Sequence, residues 1–453
     1  MGKGTSLIYC DRSDIGRRRS NNQDSRAVLP PASPQQYRNR GWMFLVADGM
    51  GAHAAGELAS GIAAERVPLA YEKTANHSPP LALRRSIEQI NGEINARGEA
   101  SPEFKGMGTT CTTLVIVPRG ALVGHIGDSR AYRIRGHTID QLSRDHSLVW
   151  ELESSGGMSR EQAAGAAPKN IITRSMGPHA RVDVDLEGPF PVESGDTFLL
   201  CSDGLSGQAT DEEIGLFAAE LEPREAAAAL VGLALVRGAP DNVTVIVARA
   251  GAEETSERSS SDSPWALTEE PAAPRNAGAV PWRWLAIAAV SLFTALVLLG
   301  VSSGQAQEGQ AQPDGLLSAV FLVGIGAAVL TCIVSALAAL LGFLAPATGG
   351  GRVLVPGRQI GKGPYRSYDC TATEPLLEGV VGSLEAAAIG LTEADRERTI
   401  AILARVRRHL AEHAFHEAVV AVAEAIAIYS RAVEESRSGD TIRAAPPPGS
   451  TEP

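Results

Sequence analysis

Residues 42–53 read WMFLVADGMGAH. The apolar run 42–47 passes into Asp48 and Gly49 with no polar residue between them. A run of that kind, ended by Asp-Gly, reads as a buried strand running into a turn. The same pattern recurs along the chain. Asp128 lies in HIGDSRAY after the apolar run 121–126, and Asp203 lies in FLLCSDGL after the run 197–201. Asp241 lies in APDNVTVIV just before the run 243–248. One such aspartate is ordinarily only a turn residue. Four of them at strand edges can gather carboxylates along one edge of a sheet, where Mg²⁺ or Mn²⁺ finds the oxygen donors it prefers and keeps several waters.

Around these sites, strand candidates at 42–47, 112–117, 121–126, 130–134, 197–201 and 243–248 are rich in Val, Ile, Leu and Thr. Helix candidates lie at 56–71, 80–97, 148–153, 160–166, 211–219 and 223–238. Strands come in groups with helices in pairs between them, which argues for an α+β sandwich over a strict βαβ winding. Arg19, in GRRRSNNQDS, stands shortly before Asp24. A guanidinium can grip a phosphoryl group with paired hydrogen bonds, although composition alone would make Arg17, Arg18 and Arg19 a solvated basic turn.

The chain has 453 residues, too many for one ordinary domain. Its net charge of −11 excludes a basic nucleic-acid-binding protein, so no nucleic-acid partner is expected. The five cysteines, at 10, 111, 201, 332 and 370, have no zinc-type spacing and suit a reducing compartment.

The first domain is expected to span 6–250. Residues 251–281, rich in Glu, Ser, Pro and Ala, read as a flexible linker. The uncharged stretches within 282–301 and 315–345 are expected to be two transmembrane helices, joined by a short extracytoplasmic loop at 302–314. That loop lacks Lys and Arg, whereas Arg275, Arg283, Arg352, Arg358 and Lys362 flank the pair. A multi-pass protein of the cell (inner) membrane, with both termini cytoplasmic, is therefore expected. Residues 349–440 are expected to form a helical cytoplasmic region, with Thr392 and Asp395 as a capping pair, and 441–453 a disordered tail. His409, His413 and His416 would share one polar helix face. The long alanine-rich helix suggests an oligomerisation or partner-docking element.

The motifs RSNNQD, VADGMGAHAAGELAS, GMGTTCTTLVI, HIGDSRAYRIR, LSRDHSLV, NIITRSMG, LLCSDGL and DNVTVIV occur in that order over the first ~245 residues. In this they resemble the bacterial form of the metal-dependent Ser/Thr protein phosphatases, the PP2C or PPM family. The resemblance implies a β-sandwich of two antiparallel sheets flanked by helix pairs, and an enzyme that hydrolyses phosphoserine and phosphothreonine with a metal-activated water. It implies that Asp48 bridges two Mn²⁺ or Mg²⁺ ions, that Gly49 offers its carbonyl, and that Asp203 and Asp241 complete the carboxylate ligands. By the same resemblance Asp128 would hold a third, weaker ion, Asp24 would bond metal-bound water, and Arg19 would bind phosphate. Phosphorylated proteins, Ser/Thr kinases or their substrates, would be the partners. Three positions depart from the pattern. Gln23 stands where the family has glutamate, Met50 where eukaryotic members have a general-acid histidine, and Ala167-Pro168 where the family has His-Pro. Gln23 supports an alternative, a catalytically impaired pseudophosphatase serving as a phosphoprotein-binding or membrane sensor module.

Overall fold

In the computed structural model the run at 42–50 is a strand with both faces covered, which is why its sequence is apolar without alternation. The structure describes residues 7–51, 55–74, 76–156, 158–168, 171–251, 264–268, 282–305, 315–344 and 353–444. The chain starts with β1 (Leu7–Asp14), β2 (Asp24–Leu29), α1 (Pro34–Asn39), β3 (Trp42–Met50), α2 (Ala55–Lys73) and α3 (Pro79–Glu99). Next come β4 (Gly108–Thr109), β5 (Cys111–Val117), β6 (Gly120–Ile126), β7 (Arg130–Arg135) and β8 (Thr138–Gln141). They are followed by α4 (Leu148–Ser154), α5 (Arg160–Ala166), β9 (Asp185–Phe190), β10 (Thr197–Cys201), α6 (Asp203–Ser206), α7 (Asp211–Glu220), α8 (Pro223–Val236) and β11 (Val243–Ala250). The rest comprises β12 (Trp265–Ala266), α9 (Trp282–Gln305), α10 (Gly315–Leu344), β13 (Val353–Leu354), β14 (Arg366–Asp369), α11 (Glu374–Ala388), α12 (Glu393–Ala411) and α13 (Phe415–Ala444).

Two antiparallel sheets face each other. One has the order β1-β11-β10-β7-β8-β14, the other β2-β3-β5-β6-β9. Phe44, Val46, Leu114 and Ile116 of one sheet meet Phe198, Leu200, Ile246 and Ala248 of the other in the central core. The alternate residues Met43, Leu45 and Ala47 pack outward against α2 and α3, on Ala59, Ala63, Val67 and Ile87. On the far side, Leu199, Cys201 and Val245 pack against Ile214, Phe217, Leu230 and Leu233 of α7 and α8. The expected sandwich of antiparallel sheets flanked by helix pairs is therefore what this chain forms.

The C-terminal residues extend that sandwich. Ala418, Val419, Val422, Ala425 and Ile426 recur at helical spacing on α13 and are fully buried in the cluster that contains α8. Residues 366–369, within the segment expected to be helical, add β14 to the edge of β8, from Arg366 opposite Gln141 to Asp369 opposite Thr138. The lead-in is held by Glu187, which accepts bonds from the Gly363 amide at 2.9 Å and the Tyr365 hydroxyl at 2.6 Å. Thr392 caps α12 through the Asp395 amide, as its spacing suggests.

Two readings of this region change. The three histidines do not share a helix face, because α12 ends at Ala411 and α13 begins at Phe415, with His413 in the left-handed region at φ 56°. His416 instead pairs with Glu220 at 2.8 Å. The alanine-rich helix docks on its own chain, since α8 needs its outer face covered. A fragment ending at residue 250 should therefore expose apolar α8, bind more hydrophobic dye and melt about 5–10 °C lower than the full chain. Equal melting and equal dye binding would show that the C-terminal packing contributes nothing.

Residues 268–352 form a separate unit, in which α9 and α10 pack against each other. Among the described residues no helix is long and apolar enough to cross a membrane. The expected transmembrane helices at 282–301 and 315–345, and with them the membrane partner and the multi-pass inner-membrane localisation, are corrected on this finding. Crossing a bilayer requires a helix that is both long enough, roughly 20 residues, and apolar enough. The linker at 251–281, the loop at 302–314 and the tail at 441–453 lie for the most part outside the described residues.

Candidate active site

The site forms where the ends of four strands meet. Asp48 lies within β3, two residues before its end, and stands opposite Asp24 of β2 in the strand register. Its amide donates to Thr110 Oγ1 at 2.8 Å, and its carbonyl accepts from the Thr110 amide at 2.8 Å and from Thr109 Oγ1 at 3.0 Å. The backbone that presents this carboxylate is thus fixed independently of the side chain. Asp128 lies in the turn between β6 and β7. Asp203 opens α6 directly after β10, and Asp241 lies in the turn before β11. The last two turns touch closely. A Cβ on Gly204 would collide with the Asn242 carbonyl oxygen, so glycine is required for the approach.

Arg19, Gln23, Asp48, Gly49, Asp128, Asp203 and Asp241 line one cleft of about 190 Å³, together with Met50, Gly51 and Ile172. The sequence positions 19, 48, 49, 128, 203 and 241 therefore converge. Asp24 sits behind the cleft lining, 8% exposed, and accepts from Ser202 Oγ at 2.7 Å. Arg19 Nη2 donates to Asp241 Oδ2 at 2.6 Å, and this bond raises the guanidinium above its ordinary value. His53 and Ala52 lie outside the described residues, and among those described no histidine lines the cleft.

The carboxylates crowd one another. Burial, reinforced by Asp203 and Asp241, pushes Asp24 up to about 7 against the hydrogen bonds of Thr244 and Ser202. Burial, then Asp203 and Asp145, pushes Asp128 up to about 8. Asp48 is held well above the usual range, first by burial and then by Asp24 and Asp203. Asp203 rises through burial and the nearby Asp241. Such a cluster is costly to ionise unless a cation neutralises it.

Two observations bear on whether a cation fits. Asp24 Oδ1 and Asp128 Oδ1 are buried acceptors without a hydrogen-bond partner among the described residues. Yet no group of three His, Cys, Asp or Glu among the described residues could hold an ion unaided. These agree if each ion takes few protein carboxylates and fills its shell with a backbone carbonyl and water, as Mg²⁺ characteristically does. The all-oxygen donor set fits a hard divalent cation and excludes a thiolate or imidazole site.

Residues that the sequence patterns did not single out also build the site. Asn242 receives the Gln23 amide on its Oδ1 at 2.8 Å, and its Nδ2 donates to the carbonyls of Ile15 at 2.9 Å and Asn21 at 3.0 Å. Ser202 ties Asp24 to the start of β11 through the Thr244 amide at 3.0 Å. Both sit beside a flagged aspartate, and that adjacency was the available signal. Ile172 has no comparable signal.

Residues 16–234 match the protein family described as protein phosphatase 2C. The serine/threonine phosphatase stp of Listeria monocytogenes is 34% identical over 241 residues, covering 52% of this chain and 93% of that protein. Protein phosphatase PhpP of Streptococcus pneumoniae is 35% identical over 248 residues, covering 53% of this chain and 97% of that protein. A solved catalytic domain of the serine/threonine protein phosphatase PstP, in complex with two manganese ions, is 36% identical and covers 54% of this chain and 98% of that one, with a TM-score of 0.45. Nearly the whole length of the two bacterial phosphatases is matched, and on that ground the chain belongs to the protein phosphatase 2C family, as a serine/threonine protein phosphatase.

Proposed function

We propose that the cleft removes phosphate from phosphoserine and phosphothreonine in proteins, with two Mn²⁺ or Mg²⁺ ions held around Asp48, Gly49, Asp203 and Asp241 and a third, weaker ion at Asp128. The observation that carries this is the convergence of Arg19 and the four aspartates on one cleft. When bound, the ions supply an acidified water and an electrophilic clamp on the phosphoryl oxygens. Asp48, which feels Asp24, Asp203, Asp128 and Asp241, is the natural centre of the negative field. Arg19 is half exposed at the cleft mouth, so its guanidinium can leave Asp241 and take phosphoryl oxygens in a bidentate grip. Asp24, fixed by Ser202, keeps one acceptor free to orient water. Proteins phosphorylated by Ser/Thr kinases, or the kinases themselves, would be the substrates. Hydrolysis of a phosphothreonine peptide by the full chain, with Mn²⁺ and then with a chelator, tests the reading; turnover that ignores the metal, or none at all, ends it.

The pseudophosphatase reading rests on Gln23, which is among the residues lining the cleft. Its amide lowers the negative charge of the site by one relative to glutamate. For a working enzyme, Gln23→Glu should change kcat/KM by less than about threefold, because four carboxylates remain. A gain above about tenfold would mean that the native site is impaired.

A further inference from the structure

The loop that carries Arg19 connects β1 to β2, and it is held from two sides. On the cleft side, Asn242 binds the carbonyls of Ile15 and Asn21 and receives the Gln23 amide. The Arg17 amide donates to the Ala239 carbonyl at 2.8 Å, just ahead of Asp241. Gly16, at φ 75°, leaves no room for a Cβ against the Asp241 carbonyl oxygen. On the opposite side the support comes from the far end of the chain. Arg437 of α13 donates to both oxygens of Asp14, at 3.0 Å each, and to the Gly16 carbonyl at 2.6 Å. Asp14 Oδ1 also receives the Gly16 amide at 2.8 Å, so this carboxylate joins the helix to the first turn of the loop. About two turns before Arg437 on α13, Tyr429 receives Arg17 Nη1 on its hydroxyl at 2.8 Å.

We propose that Arg437, assisted by Tyr429, is a positioning residue for phosphate binding: α13 locks the β1–β2 loop so that Arg19 is aimed into the cleft. This rests on the reading of Arg19 as the phosphate-binding side chain. Two features distinguish the contact from ordinary packing. The apolar docking of α13 on α8 is already made by Ala418, Val419, Val422, Ala425 and Ile426, with the Tyr429 ring in the same cluster, so Arg437 and the Tyr429 hydroxyl add polar links beyond that packing. The link also ends on a specific target. Asp14, Gly16 and Arg17 immediately precede Arg19, whose guanidinium must otherwise be ordered at the moment phosphate binds. A preformed loop removes that ordering cost from binding and leaves the chemical step to the carboxylates and ions. The C-terminal helices thereby become part of substrate recognition in this chain.

The test uses the full chain with Mn²⁺ and a phosphothreonine peptide. Arg437→Ala should raise KM about fivefold or more while kcat changes less than about twofold, the pattern for lost binding that the transition state shares with the ground state. Tyr429→Phe, which keeps the ring packing, should do the same more weakly, and Arg437→Lys should fall between wild type and alanine because a lysine cannot form the paired bond. Amide hydrogen exchange at residues 15–22 should quicken in Arg437→Ala. In an Arg19→Ala background, Arg437→Ala should add almost nothing to KM, since the side chain being aimed is gone. An unchanged KM, unchanged exchange at 15–22, or an undiminished KM effect without Arg19 overturns the proposal. Absence of turnover in the unsubstituted chain strikes the phosphatase reading of the site, and this proposal with it, before any variant is compared.

Discussion

Asp48→Asn should yield a folded protein whose metal-dependent turnover of a phosphopeptide is lower by about 10³-fold or more. The fold survives because Asp48 is held by its backbone: Thr110 and Thr109 bond its amide and carbonyl, and β3 pairs through it on the β2 side. Asparagine matches the shape and removes only the charge. That charge sits in the middle of the cluster, influenced by Asp24, Asp203, Asp128 and Asp241 together. With it gone, the site would lose the carboxylate that the proposed function gives the central part in holding the ions. The same substitution should have the opposite sign on stability when metal is chelated. A buried carboxylate held well above its usual range is destabilising when ionised, so the neutral amide should melt at an equal or higher temperature than wild type in chelator. Turnover within tenfold of wild type would remove Asp48 from the centre of the mechanism. A variant that melts well below wild type in chelator would contradict the electrostatic account.

Removing the metal should make stability fall as pH rises. Asp24 and Asp128, at about 7 and about 8, hold a proton more tightly in the folded protein than in the unfolded one. For such raised carboxyls the stabilising contribution is complete below the unfolded value near 4 and is lost as pH climbs through the folded values. The chelated protein should therefore lose several kcal/mol, on the order of 6 if the two groups titrate independently, between about pH 5 and pH 8. Bound Mn²⁺ removes the penalty, because the carboxylates are then held in their charged form. The measurement is melting temperature against pH with Mn²⁺ and with chelator. The gap between the two curves should widen toward pH 8, and since other titrating groups affect both curves, the difference isolates the site. Parallel curves would mean that the cluster does not bind the ion.

The candidate site was largely legible because each aspartate carries a local mark. Asp48, Asp128 and Asp203 follow apolar strands, Asp241 precedes one, and all sit beside Gly, Ser or Asn. Those marks arise from short-range constraints on turns and strand ends, which a sequence records residue by residue. The supporting shell was less legible. Asn242 and Ser202 act through hydrogen bonds to Ile15, Asn21 and Asp24, partners about 180 to 230 positions away, and no local pattern announces such a bond. The stretches at 282–301 and 315–345 read as spans from their length and their apolar, uncharged composition, whereas among the described residues no helix is long and apolar enough to cross a membrane.

The C-terminal half shows the division most clearly. Helix periodicity and the Thr392 cap were readable, since both depend on residues within a turn or two of each other. Where those helices dock was not. The clue lay in another element, α8, whose run PREAAAALVGLALV is apolar on nearly every face and so needs cover on both sides. By itself the sequence determined the strands, most helices, the acidic set and the kinship with metal-dependent phosphatases, because each is carried by neighbouring residues or by motifs in order. Only the tertiary structure decided that α13 covers α8 and that Arg437 reaches Asp14 beside the Arg19 loop, because pairing across more than 400 residues depends on which buried surfaces and charges fit together once the sheets have closed.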